Sequence, residues 1–262
     1  MVIKIMKYKL KNIIFPMIIY FSLILSTCLF YFSNIDKNAS IPTSLIVDTN
    51  TSKVAYLTID DGPSKSTEKI LEILDNYNIK ATFFVVGPKC HLKDTLLKKI
   101  VQSGHSLAIH SYEHNYNYIY ASKENYLKDF YTCLGWIKEV TGITPTIYRF
   151  PGGSSNTIAS KSLIKDIIKA LSEKGFTHAD WNVDTLDSYV KDEPYKITKN
   201  ALTAIKRNEN NKHYSQTILI HDDIKKPSTL TALPNLIEKV IAKGYIFKTL
   251  NEKSNIIQHT KI

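Results

Sequence analysis

Seven short β-branched or aromatic runs recur from Val54 onward, separated by longer stretches with helical spacing, and this alternation restricts the fold more than any other feature of the chain. The runs fall at 54–59, 80–86, 105–109, 145–149, 176–183, 216–220 and 245–249. The helical stretches lie at about 66–77, 92–103, 122–141, 160–174, 194–209 and 229–243. A period that switches between two and 3.6 residues in this order predicts an α/β domain with a parallel sheet. Two architectures satisfy it, an open doubly wound sheet and a (β/α) barrel. A dinucleotide-type sheet needs a Gly-rich turn after its first strand. This chain has Asp60-Asp61-Gly62-Pro63 at that place, so the barrel is favoured. Ser64 or Ser66 stands where an N-cap of the first helix is expected.

In a barrel the reactive groups sit where strands end and their loops begin. Five of the seven strand ends carry ionisable groups. The first ends in Asp60-Asp61, the third in His110-Ser111-Tyr112-Glu113-His114 and the fourth in Arg149-Phe150-Pro151-Gly152-Gly153. The fifth leads through Asp180 and Trp181 into Asp184-Thr185-Leu186-Asp187, and the sixth ends in His221-Asp222-Asp223. All five would share one face.

His110 and His114 are four apart, which on a helix or a tight turn puts both imidazoles on one side. Two His and a carboxylate form a three-ligand zinc site with a fourth position open for water. The bland alternative is a pair of exposed turn histidines, just as Asp60-Asp61-Gly62-Pro63 alone would pass for a polar turn. Two adjacent Asp repel each other unless a cation or hydrogen-bond donors compensate them. A metal on one and Arg149 beside the other would do so. His221 follows the apolar run 217–220 and is expected to be catalytic. His91, His105, His178, His213 and His259 form no constellation and read as surface or packing residues.

The N-terminal part is of another kind. Residues 1–12 hold Lys4, Lys7, Lys9 and Lys11 and no acid, and residues 13–33 carry no charge. A helix of about 20 apolar residues crosses a bilayer core. The expectation is a retained transmembrane signal anchor, 13–33, with the basic flank inside the cell and everything after Ser33 outside. A cleaved signal peptide, which would release the domain, is the alternative. Its apolar region is usually shorter and ends at a small-residue site, whereas here the run continues past Cys28. Residues 34–53 read as a linker, 54–251 as the domain and 252–262 as a tail without a signal. The net charge of +10 falls to +6 once the four lysines are set aside. No nucleic-acid motif accompanies that charge, so no nucleic-acid partner is expected. Outside the cell Cys90 and Cys133 are free to form a disulfide, although spacing alone gives no pairing.

The strand-end motifs resemble those of the polysaccharide deacetylases of the NodB-homology type, carbohydrate esterase family 4, over about 54–250. Thr58-Ile59-Asp60-Asp61-Gly62-Pro63 resembles TFDDGP, His110-Ser111-Tyr112-Glu113-His114 resembles H[ST]xxH, and Arg149-Phe150-Pro151-Gly152-Gly153 resembles RxPxG. Asp184-Thr185-Leu186-Asp187 resembles the start of DxxDW, and Leu219-Ile220-His221 matches LxH. Five motifs in family order are far more specific than one. The resemblance implies a distorted (β/α) barrel of about seven parallel strands. It implies Asp60 as catalytic base, with Arg149 holding it in place. Asp61, His110 and His114 would bind a divalent metal, usually zinc, with cobalt or another ion as alternatives. His221 would be the general acid, tuned by Asp187. Pro151, Gly152, Trp181 and Leu219 are expected to contact the substrate. One departure stands out. The fourth motif normally ends in Trp and this chain has Ser188, so Trp181 becomes the candidate for that wall. The expected activity is metal-dependent removal of acetyl groups from peptidoglycan N-acetylglucosamine. N-acetylmuramic acid, poly-N-acetylglucosamine, chitin oligomers and acetylated xylan are alternatives, and an inactive carbohydrate-binding module is a more distant one.

Overall fold

The structure, a computed structural model, describes residues 53–88, 90–223 and 227–262. The chain divides into two units, and all the described residues fall in the second, Thr51–Ile262. The expectations for 1–12, for the apolar run 13–33 and for nearly all of the linker lie outside the described residues. Among the described residues no helix is long and apolar enough to cross a membrane.

The second unit is built on eight short strands: β1 Val54–Asp60, β2 Thr82–Val86, β3 Ser106–Ser111, β4 Ile147–Tyr148, β5 Thr177–His178, β6 Val183–Asp184, β7 Ser215–His221 and β8 Ile246–Phe247. Their order is β5-β4-β3-β2-β1-β7-β6, and every neighbouring pair is parallel. β8 lies on β1 at Val54 and Ala55, below the stretch Thr58–Asp60 that pairs with β2. This is a distorted half-barrel of seven parallel strands with one short addition. Among the described residues no ladder closes it between β5 and β6.

Helices cover the outside: α1 Thr67–Asn76, α2 His91–Gln102, α3 Tyr116–Ile119, α4 Lys123–Thr141, α5 Lys161–Ser172, α6 Pro194–Asn210 and α7 Pro227–Ala242. All but the short α3 bury one stripe. In α1 the stripe is Ile70, Leu71, Ile73 and Leu74, and in α5 it is Ile164, Ile167, Ile168 and Leu171. Ser122 and Ser160 cap α4 and α5 through the N–H of Asn125 and Leu163, at 3.1 Å each, and α4 stops at Gly142 with φ 75°. Neither Ser64 nor Ser66 caps α1 with its side chain. Ser64 Oγ instead accepts from Ser66 N (2.9 Å) and donates to Asp222 (2.6 Å), because the first loop is tied across to the end of β7.

Successive side chains of a strand point to opposite faces. On β1, Leu57 and Ile59 join the large outer core with Phe83, Ile70 and Ile237, while Tyr56 joins Phe84, Ala108, Ile147, Ala179 and Leu250 in a second cluster. Thr58 and Asp60 share the face of Tyr56, so β1 delivers its carboxylate into the half-barrel rather than toward the helices.

The run expected as one strand at 176–183 is two, with a break at 179–182. The break has a cause: Ala179 O and Asp180 O both accept from the Arg149 guanidinium. The short α3 had no periodic signal. Cys90 is exposed, Cys133 is buried, and both are free thiols.

Candidate active site

The site is assembled on the central strand pair. β1 and β7 are in register along their whole length, with Asp60 opposite His221. Asp60 is buried, 3% exposed, and its Oδ1 accepts from Arg149 Nη1 at 2.8 Å. Arg149 has no exposed surface. Its other donors reach Thr58 Oγ1 (3.0 Å), Ala179 O (2.8 Å) and Asp180 O (3.1 Å), and its Cζ lies 4.0 Å from the Phe84 ring centroid and 5.5 Å from that of Trp181. A guanidinium held this way cannot follow a ligand, so it fixes one carboxylate oxygen and leaves Asp60 Oδ2 toward the pocket.

Asp61 turns away from its neighbour through a left-handed backbone, φ 73°. The next residue must be small: a Cβ on Gly62 would lie 2.5 Å from Asp222 Oδ2. Asp61 Oδ1 faces His110 Nε2 at 3.5 Å and His114 Nε2 at 3.3 Å, and the three ligand atoms all lie within 4.8 Å of one another. Tetrahedral bonds of 2.0–2.2 Å place donors about 3.4 Å apart, so the spacing suits a four-coordinate zinc-sized ion. The proton arrangement suits it too. His110 Nδ1 is 2.9 Å from Arg149 O, and a carbonyl only accepts, so Nδ1 carries the proton. When the ring is neutral its Nε2 lone pair then points at the Asp61 carboxylate, and two acceptors at that distance call for a cation. Burial lowers the His110 pKa, but Asp60 and Asp61 outweigh it and the net direction is up. His114 is pushed down by burial and by His110. Burial would raise Asp61, yet its bond to His110 and the charge of the histidines hold it far below the usual carboxylate range.

The loop between the two histidines is held by a residue the sequence did not single out. Asp129 of α4 accepts from Ser111 Oγ (2.7 Å), Tyr112 N (2.9 Å) and Glu113 N (2.7 Å), and Ser111 Oγ accepts from His114 N at 2.9 Å. Ser111 thus orients the ligand loop. A signal for Asp129 existed: it is a lone acid within the apolar stripe Tyr126, Phe130, Cys133 and Ile137, and it is 5% exposed.

Across the pocket, His221 Nδ1 lies 2.8 Å from Asp187 Oδ1, while Asp187 Oδ2 accepts from His221 N (2.8 Å) and Thr229 Oγ1 (2.9 Å). Burial works against the charged imidazole, but the Asp187 bond and charge outweigh it and push the pKa up to about 9. Asp187 shows the converse: His221 holds it below its ordinary range despite burial. The ring therefore carries a proton at neutral pH.

These groups open on one pocket of about 410 Å³, lined by Asp60, Asp61, His110, His114, Gly152, Trp181, Leu219 and His221, with Tyr116, Asp184, Ser188, Tyr189 and Asp223. Arg149 and Asp187 stand behind the wall. Pro151 does not line the pocket as expected. It is buried, with its carbonyl accepting from Tyr120 Oη at 2.7 Å, because the turn at Gly152 (φ 77°) brings glycine rather than proline to the surface. Trp181 and Ser188 both border the pocket. Tyr189, beside Ser188, is 83% exposed. His105 and His178 are buried packing residues, whereas His259 is bound to the Trp181 carbonyl. A trio able to hold a metal, an unshared carboxylate oxygen and a protonated imidazole around one pocket are the parts of a hydrolytic site.

Comparison with known proteins agrees. Residues 48–177 match the family described as polysaccharide deacetylase. A peptidoglycan-N-acetylglucosamine deacetylase of Bacillus cereus is 32% identical over 208 residues, covering 78% of this chain and 71% of that protein. Among solved structures, the catalytic domain of peptidoglycan N-acetylglucosamine deacetylase from Eubacterium rectale superimposes with a TM-score of 0.71 at 34% identity, covering 79% of this chain and 93% of that one. The polysaccharide deacetylase Bc1974 of Bacillus cereus follows at 0.68 and 30%, covering 79% and 96%. The chain belongs to the polysaccharide deacetylases, the NodB-homology hydrolases of carbohydrate esterase family 4.

Proposed function

We propose that this protein removes the acetyl group from N-acetylglucosamine residues of peptidoglycan. The observation that carries the reading is the placement of Asp60 and His221 opposite each other on registered strands, beside the Asp61-His110-His114 trio and in the same pocket. Those three residues would hold a divalent cation, and the oxygen and imidazole donor set favours zinc. When bound, the metal supplies Lewis-acid polarisation of the acetyl carbonyl and acidifies a water. The remaining work falls to the chain. Asp60, held by Arg149, accepts the proton of the attacking water. The backbone N–H of Gly152 meets charge that develops on the carbonyl oxygen. His221, charged through Asp187, passes its proton to the leaving amine. Acetate and a free amino sugar are the products, and no covalent intermediate is required.

The choice of peptidoglycan is supported by the names of the relatives above and by the sequence of residues 1–33, which we read as an anchor that leaves the domain outside the membrane. Acetate and new amines should be counted on purified peptidoglycan and on defined N-acetylglucosamine and N-acetylmuramic acid glycans, before and after chelation. Release from N-acetylglucosamine that disappears with chelator and returns with Zn2+ supports the reading. No release from any N-acetylated glycan with zinc present would overturn it.

A further inference from the structure

Asp180 is 1% exposed and takes no part in the proton transfers above. Its carboxylate accepts from Ser154 N (2.8 Å) and Ser154 Oγ (2.6 Å), just past the Gly152–Gly153 turn, and from His259 N (2.7 Å) near the C-terminus. Its own carbonyl accepts from Arg149. One buried acid thus joins the fourth strand end, the arginine behind Asp60 and the last residues of the chain.

Those last residues occupy a definite place. β5 ends the sheet. Thr177 N and Ala179 N donate to Thr146 O and Tyr148 O on the β4 side, so the N–H of Asp180 points to the open edge, where it donates to Ile257 O at 2.8 Å. An uncovered edge leaves backbone donors and acceptors unpaired. Here residues 257–260 cover it. Thr260 N and Oγ1 bond Ser154 Oγ (2.9 Å) and Ser154 O (2.7 Å), and His178 Nε2 bonds Thr260 O (2.9 Å). His259 Nε2 is 2.6 Å from Trp181 O, which only accepts, so Nε2 carries the proton, and Nδ1 lies 3.2 Å from Ser155 Oγ and 3.9 Å from Asp180 Oδ1. The His259 ring meets Trp181 edge-on at 5.3 Å between centroids. On its other flank Trp181 is so close to Gly153 that a Cβ there would lie 2.9 Å from the indole.

We infer that the C-terminal strap 257–260, through His259 and Asp180, is a positioning element of the active site. It fixes Trp181 and the turn at Gly152 as two walls of the groove, and so sets how tightly a glycan chain is held. The glycan as ligand rests on the function proposed above, whereas the fixing of Trp181 does not. His259 touches neither the metal-ligand trio nor the acid–base pair, so its loss should separate binding from chemistry.

The test compares the metal-loaded full chain with His259→Ala and with a chain ending at Asn255, using an N-acetylglucosamine tetramer and acrylamide quenching of tryptophan fluorescence. The protein has two tryptophans, and Trp136 is 3% exposed, so the quenchable signal belongs to Trp181. Loss of one hydrogen bond and a ring contact should raise KM about tenfold, or 1.4 kcal/mol, with kcat unchanged and quenching increased. Because quenching is read without turnover, it also decides the matter in a chain that releases no acetate. Should truncation prevent folding, the point variant at the half-exposed His259 remains. Unchanged KM and unchanged quenching in His259→Ala, or a fall in kcat at constant KM, would overturn the inference.

Discussion

Replacing Asp187 by Asn should move the basic limb of the pH–rate profile. In the intact protein the Asp187 bond holds His221 up to about 9, against an ordinary imidazole value of 6.5. The Asp187→Asn change keeps the size of the side chain and an oxygen for Thr229 or the His221 N–H, but it removes the negative charge facing Nδ1. Burial then opposes the charged ring with only the charges of Asp60 and Asp61 left to favour it, and the imidazole moves back toward its ordinary 6.5. The difference corresponds to about 3 kcal/mol at 1.36 kcal/mol per pH unit. For a full return to 6.5 the charged fraction at pH 7.5 falls from about 97% to about 9%, a tenfold loss of the acid before any change in its orientation. A cation on Asp61 cancels much of the help that Asp60 and Asp61 give His221, and leaves the Asp187 contribution as the one this variant removes. The assay is kcat/KM for acetate release between pH 5 and 10. The wild-type limb should lie above pH 6.5, held up by Asp187, and the variant limb should shift to lower pH. The same linkage appears in stability. Since the folded-state value is raised, the contribution is complete below about pH 6.5 and is lost as pH rises through about 9. Melting temperatures should show that loss in the wild type and not in Asp187→Asn. A variant whose basic limb coincides with that of the wild type would refute the assignment of His221 as an acid charged by Asp187.

Three other outcomes follow from the same geometry. Asp60→Asn should lower turnover about a hundred- to ten-thousandfold, the usual size of a lost general base, while metal content by mass spectrometry stays at one equivalent. Arg149→Met leaves the Asp60 carboxylate buried without a partner and should cost about 3–5 kcal/mol in urea unfolding; the double variant with Asp60→Asn should regain a large part of that stability. Gly153→Ala, at φ 82° and against Trp181, should reduce stability by about 1–3 kcal/mol, measured by thermal melting, and should weaken glycan binding.

The long central strands were legible because a parallel strand covered on both faces reads as an unbroken apolar run. β1 and β7 appear at the expected places, and so do the polar residues that end them. The run 176–183 misled for a physical reason: its residues are apolar enough for a strand, but two of its carbonyls serve Arg149, whose position no local pattern reveals. The reactive groups could be read from sequence because each ends such a strand or lies within a few residues of its end. Of the residues that hold them in place, Arg149 and Asp187 follow strands of their own and were read, whereas the roles of Asp129 and Asp180 were not. Asp129 and Asp180 act largely through backbone N–H groups of segments 16 to 79 residues distant, which leave no trace in side-chain type, and only the place of Asp129 within an apolar stripe hinted at a role. The strap at 257–260 was invisible for the same reason, as it binds largely by main chain.

The pairing of Asp60 with His221 has a consequence for how such a site varies. Their separation is a lattice spacing of the sheet, set by seven consecutive rungs between β1 and β7. Parallel strands advance about 3.3 Å per residue, so a shift that keeps both side chains on the same face moves one past the other by about 6.6 Å. A water and an amine could not bridge that gap. Reaction geometry therefore comes in steps and tolerates no gradual drift, while the loops beyond the last rung, with Ser188 and Tyr189 among them, are free to change length and residue. A scaffold of this kind keeps its chemistry quantised and lets its choice of sugar vary continuously.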